Sequence, residues 1–507
     1  MTYEPPEHLN IADYFLDDRV REGRGDRIAV RLDAGSLTYA EIQRLANRFA
    51  NLLAKSGVES EHRVLLALPD GADFVAALFG TLKLGAVVVM ANPALDPADI
   101  ALLLDYTRAR VVVVDHDHAA AYLAATRSSP HVKHTIVTAG EDWDREVASH
   151  SPAFENFRSH RDDPAIWLFS GGTTGRPKAV IQTHRAFAYT TECYAQGVIG
   201  YHEDDVTLSV PKLYFGYATG SNLFFPFRAG ASTVLFKEPA SAEVIFERIR
   251  RFRPTVLINV PTMINRMVSH PEALAQDFTS LRLCTSAGEA LPVELDRRWR
   301  DSFGVELLDG LGTAEMWHIF ISNRQGAARP GTLGQVVAGF EVKVCDELGE
   351  ELARGETGWL WVKGGARAIA YWQHMEKTER GFRGEWYVSG DLIQMDADGY
   401  ITYHGRGDEM LKVSGKWLAP AEVESCLLEH PEVAEAAVIG SSDVNGLVKP
   451  IAFVVARARR AGLDDELRAF VRERLEPYKH PREVTFVDAL PRTHLGKVDR
   501  GKLQRGG

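Results

Sequence analysis

The stretch Ser170-Gly-Gly-Thr-Thr-Gly-Arg-Pro-Lys178 decides how this sequence is interpreted. It follows Ala165-Ile-Trp-Leu-Phe, an apolar run that predicts a buried strand. Glycines let backbone N–H groups approach a phosphate closely, hydroxyls add donors, and Lys178 adds positive charge. The stretch is not a Walker A loop, because Lys178 follows Arg-Pro and precedes Ala179. It indicates a phosphate-binding loop, and a solvated turn is the alternative for so short a match.

Around this loop, helical segments alternate with short β-branched strands from about residue 37 to residue 254. Buried strands are predicted at residues 63–68, 86–90, 109–114 and 256–260. Thr38 and Glu41 have the spacing of a capping box, which predicts the start of a helix. Residues 331–403 change to glycine-punctuated short strands. The fold class is therefore α/β, with a large N-terminal domain of layered sheets and a small β-rich subdomain.

A charged joint, Gly405-Arg-Gly-Asp-Glu, separates this region from a new alternation of elements. Beyond the joint we predict helices at 420–429 and 464–475, and strands at 434–439 and 450–455. We therefore divide the chain into an N-terminal domain (1–404), a hinge (405–408) and a small, mobile α+β C-terminal domain (409–507).

Composition excludes several classes of protein. Of the 507 residues 45% are apolar and 25% charged, and the net charge of -11 argues against a general nucleic-acid or anionic-membrane binder. The cysteines are scattered, which disfavours a disulfide framework or zinc site and fits a reducing cytoplasm. The apolar stretch 74–95 is interrupted by Lys83 and Gly85 and predicts a core helix followed by a strand. We expect a cytoplasmic protein without nucleic-acid partner or membrane insertion.

Further motifs follow the phosphate loop along the chain. They are Ser286-Ala-Gly-Glu-Ala-Leu-Pro, Asp309-Gly-Leu-Gly-Thr-Ala-Glu315, Tyr387-Val-Ser-Gly-Asp391, Gly405-Arg-Gly-Asp408, Lys412-Val-Ser-Gly415 and Pro491-Arg-Thr-His-Leu-Gly-Lys497. With this ordered set, the chain resembles the adenylate-forming superfamily of acyl-CoA ligases, peptide-synthetase adenylation domains and luciferases. Residues 309–323 most resemble its benzoate-CoA ligase branch.

The resemblance implies an enzyme that uses ATP, Mg²⁺ and coenzyme A. Its reaction would adenylate a small carboxylic acid, of benzoate or another aryl type, and pass the acyl group to the CoA thiol. A homodimer is left open as the assembly. The residues implied in binding ATP or AMP are Ser170, Gly171, Gly172, Thr173, Thr174, Gly175, Lys178, Ala287, Gly288, Glu289, Asp309, Gly310, Leu311, Gly312, Thr313, Asp391 and Arg406.

The same resemblance assigns catalytic roles to Lys497, Glu315 and Lys178. Lys497 would bridge the attacking carboxylate and the α-phosphate, which otherwise repel each other. Glu315, with Thr173, would hold Mg²⁺, a hard cation that prefers oxygen ligands. Asp391 would accept hydrogen bonds from both ribose hydroxyls.

The implied acyl pocket has flat and small side chains that suit a planar ring. Its residues are Lys212, Tyr217, Phe225, Ala287, Gly312, His318 and Ile319. His318 has an alternative interpretation as a satisfied core histidine. Asp408 is implied as the hinge pivot, and Lys412, Ser414 and Gly415 as the CoA-binding segment.

Two alternatives and two departures remain at this point. The phosphate loop has Gly171 where a hydroxyl residue is common in the superfamily, and Ala179 where Gly is usual. Ala314 stands where the superfamily normally has a Thr or Ser that contacts phosphate, with a hydroxyl one place earlier at Thr313. The first alternative keeps adenylation but uses a carrier-protein thiol, an amine or an unusual oxyacid partner. The second is a non-catalytic ligand sensor, against which the retained charges of Lys497, Asp391 and Glu315 argue.

Overall fold

The structure, a computed structural model, describes residues 3–170, 178–413, 416–442, 448–492 and 498–504. The strands in these ranges are β1 Ile28–Leu32, β2 Gly35–Thr38, β3 Arg63–Ala67, β4 Val87–Met90, β5 Val111–Asp115, β6 His134–Thr138, β7 Pro164–Ser170, β8 Lys178–Thr183, β9 Val206–Ser209, β10 Ser232–Val234, β11 Val256–Asn259, β12 Leu283–Ser286, β13 Leu307–Gly312, β14 Ile319–Ser322, β15 Gln335–Val336, β16 Glu341–Cys345, β17 Thr357–Lys363, β18 Phe382–Arg383, β19 Trp386–Met395, β20 Ile401–Arg406, β21 Leu411–Val413, β22 Lys416–Leu418, β23 Val433–Ser442, β24 Val448–Ala456 and β25 Glu483–Phe486.

Helices connect most of these strands. They are α1 Tyr39–Lys55, α2 Ala72–Lys83, α3 Pro97–Thr107, α4 Ala119–Ser128, α5 Glu141–Ser149, α6 His184–Thr190, α7 Gly216–Thr219, α8 Phe225–Ala229, α9 Ala242–Phe252, α10 Pro261–Val268, α11 Val293–Phe303, α12 Met375–Gly381, α13 Pro420–Leu428, α14 Leu463–Arg474 and α15 Arg500–Gln504. Two of them are followed directly by π-helical turns, α6 by Thr191–Ile199 and α7 by Gly220–Phe224.

Three sheets build the N-terminal domain. Sheet A has the order β6-β5-β3-β4-β7-β8 and is parallel except for the antiparallel pair β7–β8. Sheet B has the order β15-β14-β13-β12-β11-β9-β10-β1-β2, with a parallel centre from β13 to β1. Sheet C, formed by β16 to β20, is antiparallel and is the predicted β-rich subdomain. The predicted α/β class with layered sheets is confirmed.

Local predictions in this domain also hold. Thr38 caps α1 with a complete capping box to Glu41, which satisfies N–H groups that the first turn leaves free. The apolar stretch 74–95 is the buried helix α2 followed by the buried strand β4. Lys83, which interrupts that stretch, is itself buried and forms an ion pair with Asp17. In the described part of the chain, no helix is both long and apolar enough to cross a bilayer.

The C-terminal domain has its own core around β23, β24 and α14. Helices α13 and α14 and strands β23 and β24 match the four predicted elements beyond the joint. Strand β25, which was not predicted, completes sheet D in the order β23-β24-β25. This domain contacts the N-terminal domain at α10, where Asn265 Nδ2 donates to the Ala434 carbonyl at 2.8 Å. Arg457 also donates to Ser269 Oγ at 3.0 Å.

The predicted joint overlaps the end of β20. Gly405 and Arg406 are still paired with Leu392 and Asp391 in sheet C, so the chain leaves the sheet only at Gly407. A Cβ at Gly407 would lie 1.9 Å from the Trp359 ring, which explains why glycine stands there. The chain thus leaves sheet C within the predicted hinge segment 405–408.

Candidate active site

A cleft of about 2790 Å³ runs between the two domains. Its floor is formed by the ends of β7, β12 and β13 and by the segments that follow them. Ligand sites of α/β proteins commonly lie at such carboxyl ends of parallel strands. Its opposite wall comes from β20, α13, β23 and α15. Most predicted site residues that the structure describes line this cleft.

The phosphate loop joins β7 to β8 at one end of the cleft. Residues 171–177 lie outside the described residues, and with them Gly171, Gly172, Thr173, Thr174 and Gly175. The flanking residues Ser170 and Lys178 face each other across the two strands. The Lys178 ammonium lies 4.8 Å from the centre of the Tyr371 ring. Burial lowers the Lys178 pKa, and the nearby Glu315 carboxylate partly offsets this effect.

Glu315 follows β13 and reaches the same end of the cleft, with 4% of the residue exposed. Its Oε1 accepts a hydrogen bond from the Tyr371 hydroxyl at 2.7 Å. Burial raises the pKa of Tyr371, so this phenol remains a neutral donor. In the described part of the chain, the bond from Tyr371 is the hydrogen bond seen to the carboxylate of Glu315.

One carboxylate at this position fits Mg²⁺. The ion is usually bound through one or two carboxylates together with substrate phosphates and water. The described residues contain no cluster of three or more acidic, His or Cys side chains that could enclose a metal by itself. Glu315 beside the phosphate-loop flank is the arrangement expected for a shared protein–phosphate metal site.

Asp391 lies in β19, opposite Arg406 of β20. Its Oδ1 accepts from the Tyr403 hydroxyl at 3.2 Å, and the Ser389 hydroxyl donates to Oδ2. The Arg406 guanidinium lies 3.8 Å from Oδ1. The carboxylate is thus fixed in orientation while it still borders the cleft.

The residues predicted along adenine follow β12. Ala287 and Gly288 line the cleft, and Gly288 has φ of +90°, a conformation that glycine adopts without strain. Glu289 is tied down because its Oε2 accepts from Thr262 Oγ1 at 2.7 Å. The segment is therefore a small-residue wall anchored to α10.

The predicted acyl pocket is brought together in part. Tyr217, Ala287, Gly312, His318 and Ile319 line one region of the cleft. Gly312 is required there because a Cβ would lie 2.5 Å from the His318 carbonyl oxygen. Asp309 lies on the same floor, and burial raises the pKa of its carboxyl to about 8.

Two predicted pocket residues lie elsewhere. Lys212 points to the other side of its loop, where its ammonium donates to the Phe236 carbonyl at 2.7 Å. Burial lowers its pKa to about 8, against the opposing effect of Asp70. Phe225 lies behind His318, with 4.7 Å between ring centres, and does not line the cleft. The sequence predicts that both residues lie near the pocket. It does not show which side chains line the pocket and which pack behind that lining.

A strained turn positions His318. Trp317 has φ of +60° and ψ of -53°, and the His318 N–H donates to the Met316 carbonyl at 2.8 Å. This is a γ-turn with positive φ, which is rare for a side chain of this size. Strain of this kind persists where the surrounding packing holds it and clusters at binding sites.

The position of Ala314 is compensated locally. Its carbonyl accepts from Gln182 Nε2 at 2.6 Å, which fixes the backbone of the motif. Thr313 Oγ1 accepts from the Met316 N–H at 3.3 Å, so its own O–H remains available as a donor. Thr313 lines the cleft beside Ala314.

The C-terminal domain carries the two predicted functional segments, and the structure describes only residues that adjoin them or belong to them in part. Arg492 and Val498, which flank the Lys497 segment, line the cleft. Lys412 is exposed instead, with its ammonium 5.7 Å from the Trp417 ring. Lys497, Ser414 and Gly415 themselves lie outside the described residues. Asp408 borders the cleft and accepts from Arg406 Nε at 3.2 Å.

Sequence reasoning missed Tyr371, Ser389 and Tyr403. Tyr371 is brought to Glu315 because residues 369–372 run alongside β8, with the Ile181 N–H bonded to the Ala370 carbonyl at 3.0 Å. No local pattern in the sequence announces such a contact. Ser389 lies two positions before Asp391, and Tyr403 lies twelve positions after it. The alternation of side chains along β19 and β20 was the available signal that they share a face with Asp391.

Comparison with known proteins gives consistent results over the whole chain. Residues 16–372 match the family described as AMP-binding enzyme, and residues 422–497 match the AMP-binding enzyme C-terminal domain. A benzoate–CoA ligase of Thauera aromatica is 40% identical, over 98% of this chain and 96% of its own length. The structure of an anthranilate CoA ligase with anthranoyl-AMP is 36% identical with a TM-score of 0.95, covering 99% of this chain and 98% of that one. A benzoate CoA ligase structure from Burkholderia xenovorans LB400 is 40% identical with a TM-score of 0.91, covering 98% and 100%.

The Tyr371–Glu315 hydrogen bond predicts a measurable dependence on Mg²⁺. We expect Tyr371→Phe to lower kcat/KM for ATP-dependent pyrophosphate release by about tenfold to hundredfold, because a hydrogen bond to a charged group contributes about 1.5–3 kcal/mol. The Mg²⁺ concentration for half-maximal rate should rise as well. A Mg²⁺ titration of both proteins measures this.

Tyr39→Phe is the matched control, since that buried hydroxyl donates to the Ala231 carbonyl at 2.6 Å, outside the cleft. It should lower thermal stability without altering the Mg²⁺ dependence. An unchanged Mg²⁺ requirement in a folded Tyr371→Phe protein would contradict the positioning role.

Proposed function

Because the chain belongs to the AMP-binding enzyme family, we propose that it is an ATP-dependent ligase that adenylates an aryl carboxylic acid and transfers the acyl group to coenzyme A. One observation carries the proposal. A single cleft joins a pocket of flat and small side chains at Tyr217 and Gly312 to the carboxylates of Glu315 and Asp391. An aromatic acid at one end and a nucleotide at the other would share this cleft.

In the first half-reaction the substrate carboxylate attacks the α-phosphorus of ATP, and the bond to pyrophosphate breaks. Asp391 orients the ribose through its hydroxyls, and the aromatic pocket holds the ring of the acid. Glu315 would hold Mg²⁺, and the ion would supply charge neutralisation on the phosphates. Lys178, beside Glu315, adds a cation at the phosphate end. Lys497 would bridge the two reacting anions and lower the repulsion between them.

In the second half-reaction the CoA thiol loses its proton and attacks the acyl carbon, and AMP leaves with the electrons of the broken C–O bond. Lys412, Ser414 and Gly415 would then replace Lys497 at the cleft. Lys412 is exposed, whereas Arg492 and Val498 line the cleft. This arrangement suits the first half-reaction and therefore supports the proposed order. Rotation at Asp408 would exchange the two segments.

An alternative acceptor, such as a carrier-protein thiol or an amine, keeps the same first step. No contact in the described residues favours it over CoA. Family members share one scaffold among several acceptors, so the acceptor has to be tested by assay.

A substrate screen tests the proposed reaction. Pyrophosphate release and thioester formation are measured with benzoate-type acids, arylpropenoic acids and octanoate, each with and without CoA. We expect aryl acids to exceed octanoate in kcat/KM by at least about tenfold, because flat aromatic walls contact a ring better than a flexible chain. A preference for octanoate would refute the aryl assignment, and adenylate that never reaches CoA would refute the acceptor.

The hinge proposal predicts a separation of the two half-reactions. Asp408→Pro fixes φ near -65°, so we expect adenylate formation to continue and thioester formation from the bound adenylate to slow by more than about tenfold. Stopped-flow measurement of each step distinguishes them. Asp408→Ala is the control, because it removes the same carboxylate but leaves the backbone free to rotate. Undiminished thioester formation in folded Asp408→Pro would show that the pivot lies elsewhere.

A further inference from the structure

At the contact between the two domains, two guanidinium groups converge on one hydroxyl. Arg298 of α11 and Arg457, which follows β24, each donate from Nη2 to Ser269 Oγ at 3.0 Å. Ser269 directly follows α10, where Asn265 donates to the Ala434 carbonyl at 2.8 Å. These five residues form the seam: Asn265, Ser269 and Arg298 belong to the N-terminal domain, and Ala434 and Arg457 belong to the C-terminal domain.

The charges of the two guanidiniums are not offset by a described carboxylate. In the described part of the chain, no carboxylate forms an ion pair with Arg298 or Arg457. Glu294 lies on the same helix as Arg298, but both of its oxygens accept from Arg297, at 2.6 and 2.8 Å. Burial lowers the pKa of the Arg298 guanidinium, and the positive charge of Arg457 lowers it further. The two cations therefore act on each other directly.

A second acidic group beside the seam is engaged with other arginines. Glu435 Oε2 accepts from Arg492 at 2.7 Å, and Glu435 Oε1 lies 3.8 Å from Arg266 Nη2. Arg266 is on α10, three positions before Ser269. Positive charge thus exceeds negative charge among the described residues around the Ser269 hydroxyl.

A hydroxyl meets the geometry of these donors but not their charge. Ser269 Oγ offers two lone pairs, one for each guanidinium, and it is neutral. Two partly buried cations repel each other, and an anion with several acceptor oxygens removes that repulsion. The planar fork of arginine suits phosphate in particular. The Ser269 N–H is bonded to the Asn265 carbonyl at 3.1 Å, so an anion at this point is bound through the two guanidiniums.

Resting on the proposed function, we propose that the seam is a regulatory site for a phosphate group, which binds between Arg298 and Arg457. The two arginines belong to different domains, so phosphate contacts both only in this arrangement of the domains. It therefore favours the arrangement that suits adenylate formation and slows the rotation that thioester formation requires.

Two sources of phosphate have the same chemistry. The group is either free inorganic phosphate or a phosphate ester of Ser269, whose oxygen already lies between the two arginines. To form the ester, Ser269 Oγ attacks the γ-phosphorus of a nucleoside triphosphate held by a protein kinase. The nucleoside diphosphate leaves with the electrons of the broken P–O bond, and the hydroxyl proton passes to a base of the kinase. The ester carries about −1.5 to −2 charge and three acceptor oxygens.

Calorimetric titration with inorganic phosphate tests the free form. The full-length protein is first saturated with a non-hydrolysable ATP analogue, so that the phosphate loop is occupied, and chloride keeps the ionic strength constant. We expect the phosphate affinity of the wild-type protein to fall at least about tenfold in Arg298→Gln and in Arg457→Gln, equivalent to about 1.4 kcal/mol. Ser269→Ala should retain the binding, because both guanidiniums remain.

Two neighbouring arginines provide matched control variants. Arg297→Gln and Arg459→Gln remove the same charge one or two positions away from the seam arginines, but Arg297 pairs with Glu294 and Arg459 with Asp488, each at 2.6 Å. Both controls should bind phosphate like the wild-type protein. An equal loss of affinity in the controls would attribute the binding to overall charge and would overturn the site.

The rate of thioester formation from pre-made acyl-AMP tests the regulatory effect and the ester. Saturating phosphate should slow this step at least about threefold in the wild-type protein, and the slowing should be lost in Arg457→Gln. Protein that carries phosphoserine at position 269 should be slow without added phosphate, and phosphatase treatment should restore its rate. Slowing by added phosphate alone identifies the free ion as the ligand, and slowing by phosphoserine alone identifies the ester.

The outcomes separate this inference from the function on which it rests. If no aryl acid is adenylated, the proposed function fails, whereas calorimetry still decides whether the seam binds phosphate. If aryl acids are converted to thioesters and neither added phosphate nor phosphoserine at position 269 changes the rate, the function stands and only this inference is overturned.

Discussion

The carboxylate of Glu315 is buried at the point where all three sheets of the N-terminal domain meet. Glu315 follows a strand of sheet B, Lys178 begins a strand of sheet A, and Tyr371 comes from the segment that leaves sheet C. A buried carboxylate is costly unless hydrogen bonds and opposite charge compensate it. The sheets must therefore be placed correctly before this group is tolerated, and the proposed metal site and phosphate loop depend on the same placement.

The acyl end of the cleft depends on a different device, which is close packing around strained backbone. The positive φ of Trp317 and the absence of a side chain at Gly220 and Gly312 bring His318 into the wall. The π-helical turns that follow α7 lie next to it and carry Ser221. Strained backbone thus holds one imidazole in place in the pocket wall, and such strain is common at binding sites.

Sequence predicts the elements and the order of motifs well, because hydrophobic periodicity and capping act over a few residues. Helix α1 and strands β3 to β5 are examples. Sequence does not predict contacts between distant segments, such as the hydrogen bond between Tyr371 and Glu315, which are 56 positions apart. It also does not show that the side chains of Lys212 and Phe225 lie outside the pocket wall, because neighbouring loops determine their orientation. The pairing of Arg406 with Asp391 likewise depends on a remote strand, so the sequence did not show that part of the predicted hinge segment lies in sheet C.

In the proposed mechanism, one cleft serves two half-reactions with different parts of the C-terminal domain. Lys497→Ala tests it most directly, with adenylate formation and thioester formation from pre-made acyl-AMP measured separately. Loss of the cation that bridges two anions should slow adenylate formation by orders of magnitude. Thioester formation should persist near the wild-type rate. An equal loss of both steps in the folded variant would contradict the account.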